Sequence, residues 1–196
     1  MTLGEEASRS VSGAWGLLRR DPAAPTAFNA TPDGFWRSFF AAVLLLPLYL
    51  AYLALIGPPP GAENAPAGTR WLVQFFVYII DWAAWPLIAL YMTRLMDCSD
   101  RVVGYIVAYN WSQILTSPFL IGLDVLGRIA LPQEIGLILE LAGLAGVLFY
   151  AYLVARQMLG VVAGKAIVLV LTALLLGLVL RDTADFALKL VSPDAP

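Results

Sequence analysis

Polar residues punctuate this chain between five long apolar runs, and the length of those runs sets the fold. Residues 35–56, 71–92, 102–123, 135–155 and 161–180 are each about 20 residues long and mostly apolar, the length an α-helix needs to cross a hydrocarbon core of roughly 30 Å. In lipid every backbone N–H and C=O must find its partner inside the segment, so each run is expected as a helix. The predicted fold is all-α: a polytopic integral membrane helix bundle with five transmembrane helices. Ahead of the first run, Ala7, Val11, Ala14 with Trp15, and Leu18 recur at helical spacing while Ser8, Arg9, Ser12 and Arg19 fall elsewhere. That pattern predicts an N-terminal amphipathic helix at the membrane interface, or one packed on the protein's own loops. Asp21-Pro22 ends it, and Thr31-Pro32-Asp33 reads as the next helix start: hydroxyl cap, proline in the first turn, carboxylate at the positive end of the dipole. Beyond the fifth run, Phe186, Leu190 and Val191 against Asp182, Asp185 and Lys189 predict a short separate helix. Three regions follow: 1–34, an N-terminal segment; 35–181, the transmembrane domain; and 182–196, a short terminal segment.

Charge adds an orientation. An N-inside arrangement puts Arg9, Arg19, Arg20, Arg37, Arg94, Arg101, Arg156 and Lys165 inside, and Arg70, Arg128, Arg181 and Lys189 outside. Eight against four obeys the bias that keeps Lys and Arg in cytoplasmic loops, so the N-terminus is expected in the cytoplasm and the C-terminus outside. Loop 57–69, rich in Pro, Gly and Ala and free of Lys and Arg, suits the outer side. No apolar signal-peptide core precedes residue 34, so the first span is expected to act as its own insertion signal. Ten arginines against two lysines, with abundant Ala, Leu, Gly and Pro, suggest a GC-rich bacterial genome and hence the cell inner membrane. Trp15, Arg19, Arg20, Trp36 and Arg37 are the expected membrane-interface residues, aromatic rings at the headgroups and guanidinium groups reaching phosphates. Membrane lipids are therefore the first expected partners, and other membrane proteins or a second copy of the chain the next.

Composition removes whole classes of chemistry. The chain is 60% hydrophobic and 13% charged, against 45–50% and about 25% in soluble domains. A net charge of −2 leaves no basic face for nucleic acid. With no histidine, the commonest general base and metal ligand is missing. The single cysteine, Cys98, lies between Asp97 and Asp100, whose charges disfavour a thiolate, so an unreactive thiol is expected. No zinc-protease, phosphate-loop or nucleophile motif is present, and the expectation is a protein with no catalytic residues, no metal and no cofactor.

The polar residues inside the spans carry what chemistry remains. Asp81 falls near the middle of the second span, where a central Asp costs roughly 2.5–3.5 kcal/mol on insertion scales. Asn110, Gln113 and Ser117 share one helical face of the third span at about that depth and are expected to face Asp81. Glu140, two turns into the fourth span, is the expected outer member of this polar cluster, within reach of Arg128. Gly160-x-x-x-Gly164, Ala173-x-x-x-Gly177 and Ala142-x-x-x-Gly146 are small-residue pairs expected to let helix backbones approach.

The segment Asp100-Arg101-Val102-Val103-Gly104-Tyr105-Ile106-Val107-Ala108-Tyr109, opening the third span of a five-span layout with a polar N-terminal segment, resembles the bacterial branch of the Ypt/Rab-interacting (YIP) membrane protein family. The likeness covers the span layout over most of the chain and this one local segment. The acidic and aromatic N-terminal signature of the eukaryotic members is missing, so a trafficking GTPase is not implied. What the resemblance implies is an all-helical, non-enzymatic integral membrane protein, with no site residues to carry over. Two functions are expected from these readings: organising or assisting other membrane components through helix packing, or a small proton-linked carrier or channel using Asp81. A dry helix contact at Asp81 favours the first and a hydrated cavity the second.

Overall fold

The computed structural model describes residues 2–192, and among them all regular structure is helical. Seven α-helices follow in order: α1 (Leu3–Leu18), α2 (Pro32–Ser38), α3 (Phe40–Ile56), α4 (Ala67–Leu95), α5 (Val102–Ala130), α6 (Gln133–Leu159) and α7 (Ala163–Leu190), with 3-10 turns at Ala24–Ala27 and Ser99–Arg101. α2 and α3 meet at Phe39 and form the first of five helical stretches long and apolar enough to span a membrane, Pro32–Ile56; the others are Ala67–Leu95, Ser99–Ala130, Gln133–Leu159 and Ala163–Leu190. The start at Thr31 is as the sequence predicts, its hydroxyl accepting from Gly34 N at 3.1 Å. The later helices run past their apolar cores. α7 continues without a break through Arg181 to Leu190, because no proline or glycine interrupts residues 178–190; the separate helix predicted there is the last part of span five. Residues 193–196 lie outside the described residues.

α5 is the central element, packed against α1, α2, α3, α4 and α6, while α7 closes on α4 and α6. The main core gathers Trp85 and Ala89 of α4, Tyr105–Ala108 and Trp111 of α5, and Tyr150, Val154 and Ala155 of α6. Large apolar side chains such as Leu44, Phe76, Leu141 and Leu175 face outward, as a lipid environment requires. The backbones of α5 and α6 approach closely at Gly127 and Gly136, where a Cβ on Gly136 would stand 3.1 Å from Gly127 Cα. Gly146, Gly164 and Gly177, expected to make such approaches, have no atom within 4 Å of an added Cβ, and Gly160 is the left-handed C-cap of α6 at φ +67°. Small residues permit close packing, but the short α5–α6 connection decides which of them meet.

α1 begins with a reciprocal cap, Thr2 N donating to Glu5 Oε2 at 2.7 Å and Glu5 N to Thr2 Oγ1 at 3.3 Å. It docks on α5 and α6 through Glu6, Ser10, Gly13, Ala14 and Leu17; of the predicted Ala7, Val11, Ala14, Trp15, Leu18 stripe, Ala14 is buried and Ala7 and Val11 pack partly buried against the core. Tyr150 OH donates to Ala14 O at 2.7 Å and Gln157 Nε2 to Leu17 O at 2.9 Å, so α6 supplies donors to carbonyls at the end of α1. Trp15 and Leu18 stay exposed. Glu6, fully buried, accepts from Asn29 Nδ2 and from Arg37 Nη1, each at 3.3 Å. Arg37 also pairs with Asp33 at 2.9 Å; its guanidinium is held by protein carboxylates rather than reaching for lipid phosphate. Trp36 is 72% exposed, Arg19 is exposed, and Arg20 lies over the Phe149 ring at 5.6 Å.

Candidate functional site: a cavity around Asp81

Asp81 is the central residue of α4. It lines a cavity of about 370 Å³ together with Asn110, Gln113 and Ser117 of α5 and Tyr49 of α3. It also lines a second cavity, of about 390 Å³, that runs past Gln74 and Arg181 to Gly57–Pro60. The two share Tyr49, Tyr52, Tyr78, Asp81 and Gly177, so Asp81 stands where an inner chamber meets an outer one.

The chambers exist because tyrosines hold α3 away from α4. Tyr78 OH donates to Ala42 O at 2.7 Å, Tyr49 OH donates to Gln74 Oε1 at 3.0 Å, and the two rings stack with centroids 4.8 Å apart. Each phenol reaches across the seam to a polar atom of the facing helix, which fixes the gap that an aliphatic pair would close. On the far wall, Ala173 and Gly177 of α7 leave the volume open. The small-residue pair expected to pack helices together lines the cavity instead.

Asp81 makes no hydrogen bond or ion pair with any described residue, and it is exposed. Two of its three expected partners bond elsewhere. Asn110 is buried and donates to Ser38 Oγ at 2.8 Å, tying α5 to α2; Gln113 Oε1 accepts from Thr116 Oγ1 at 2.9 Å. Sequence thus places these residues around one space but not in one hydrogen-bonded cluster. Glu140 is apart from both chambers, on the α5–α6 seam, where a Cβ at Gly127 would lie 3.1 Å from Glu140 Oε1.

The outer carboxylate near the site is Asp124, which sequence reasoning missed. It accepts from Tyr52 OH at 3.0 Å and from Arg128 Nε at 2.7 Å; Arg128 belongs to α5 rather than to a loop and pairs one turn back, with Glu140 still within its electrostatic reach. Asp124 lies one residue past the expected end of the third run, and its i,i+4 spacing to Arg128 was the available signal. At the other end of α4, Cys98 is buried, and burial first, then Asp100 and Asp97, push its thiol above the ordinary range. Among the described residues no three His, Cys, Asp or Glu side chains gather as a metal site. Comparison of the chain with protein families, with characterised proteins and with solved structures finds no match.

Proposed function

We propose that this integral membrane protein is a small proton-linked carrier in which Asp81 is the group that takes up and releases the proton. The observation that supports this reading is a carboxylate at the middle of a membrane helix, open to a cavity and unpaired by any described residue. A carboxylate that serves only to hold helices together is expected to be hydrogen-bonded across them. Asp81 pairs with none, while Asn110, Ser38, Tyr150 and Gln157 make such cross-helix bonds. In proteoliposomes carrying a pH gradient, the wild-type chain should pass protons to an internal pH dye. Asp81→Asn should lose that flux with its melting temperature kept, and an equal flux in the variant would refute the assignment.

The cation bias along the chain supports a bacterial inner-membrane location with the α1 end cytoplasmic, which turns the outer chamber toward the exterior. The reading as an organiser of other membrane components keeps one observation of its own: Gly146 and Gly164 leave open helix surface, and recovery of the same membrane protein with the wild type but not with a Gly146→Leu, Gly164→Leu variant would support it. The YIP resemblance, with its implied non-enzymatic role, rests on the layout and on the 100–109 segment.

A further inference from the structure

We infer that the ligand of the Asp81 cavity is an organic cation, an amine or quaternary ammonium compound; this rests on the proposed function only in taking that cavity as the ligand site. Of the residues lining the inner chamber, Asp81 is the one acidic side chain, and no cationic side chain is there to hold an anion. The nearest arginines border the outer chamber, where Arg128 is already paired with Asp124 and both Arg181 and Asp185 line the wall.

Six aromatic rings line the same inner space: Tyr49, Tyr52, Tyr78, Trp82, Trp85 and Tyr109. The hydroxyls of Tyr49, Tyr52 and Tyr78 are committed to Gln74, Asp124 and Ala42. What those three offer a ligand is therefore ring surface, and the quadrupole of an aromatic ring attracts a cation and most of all a poorly hydrated one. A bare metal ion would need several oxygen ligands, and the chamber provides a single carboxylate. A volume of about 370 Å³ falls in the range of small-molecule sites, roughly 300–1,000 Å³. Charge, rings and volume together favour a bulky monocation over an anion or a metal.

The test is calorimetric titration of the full-length protein in mild detergent with benzyltrimethylammonium, using benzyl alcohol as the neutral comparison. Wild type should bind the cation saturably and benzyl alcohol at least tenfold more weakly. Asp81→Asn should lose at least tenfold in affinity. Gly177→Phe, which keeps the carboxylate and fills the space, should abolish binding, and Tyr109→Leu should weaken it several-fold while retaining the charge. Undetectable binding to wild type, equal binding of the neutral compound, or unchanged binding in Asp81→Asn overturns the inference; if that variant does not fold, unchanged binding in Tyr109→Leu overturns it. Cation binding without proton flux removes the carrier reading and leaves the cation site standing, whereas proton flux without cation binding removes this inference alone.

Discussion

Glu6 is a carboxylate with no exposed surface, paired with Arg37 and bonded by Asn29, and it shows how differently the chain treats its two notable acids. A buried ion is tolerable only when its partners are in place, and removing one partner leaves the other uncompensated. Arg37→Ala is expected to cost about 2 kcal/mol, discounted because the guanidinium is partly exposed. Glu6→Gln, which leaves an amide where the charge was, should cost less. Unfolding in detergent measures both, and the opposite order would mean that Arg37 contributes through Asp33 alone. Asp81 has no such partners, so Asp81→Leu should leave the melting temperature unchanged or raise it, the cost of a central carboxylate being removed. A fall of several degrees would reveal a structural role. At this scale the sequence is half informative. The depth and shared space of Asp81, Gln113 and Ser117 follow from helical spacing, whereas hydrogen-bond partners depend on rotamers and helix rotation that spacing does not encode.

Helix packing decides which glycines matter. A Cβ at Gly136 would meet Gly127 O at 2.9 Å and Gly127 Cα at 3.1 Å, backbone atoms that can yield only if α5 and α6 separate; a Cβ at Gly177 meets open space. Gly136→Ala is therefore expected to destabilise by about 1–3 kcal/mol through overpacking, and Gly177→Ala to stabilise by about 0.5–1 kcal/mol through helix propensity. Comparison of the two variants by thermal melting separates these effects, and a stabilised Gly136→Ala would contradict the close crossing. Each of the five spans was legible because a run of apolar residues long enough for the bilayer has one stable backbone solution. The phase of α1 was legible only in part: Ala14 was expected in the apolar stripe, but the fully buried positions are Glu6, Ser10, Gly13, Ala14 and Leu17. Three of those five are polar or glycine, and hydrophobic periodicity passes over residues buried by hydrogen bonding and close approach.

The ends of the bundle are sorted by contacts that do not depend on any membrane. Ala62 and Ala65 of the α3–α4 loop bury against Leu188 near the end of α7, which puts that loop and the last turns of α7 on one side. On the other, Lys165 Nζ donates to Met96 O at 2.6 Å, and α1 lies along the final turns of α6. An odd number of crossings requires this separation, and the cation excess on the α1 side predicts its direction. Membrane-impermeant maleimide reads that direction out, because the native thiol is a weak competitor: Cys98 is buried, and burial and two aspartates hold it toward the protonated, unreactive form. In intact cells Glu63→Cys should label from outside, whereas Arg19→Cys should label only after permeabilisation; both positions are exposed. Labelling of Arg19→Cys from outside would invert the whole molecule. It would also turn the outer chamber beside Asp81 toward the cytoplasm, and with it the side from which a ligand first meets the carboxylate.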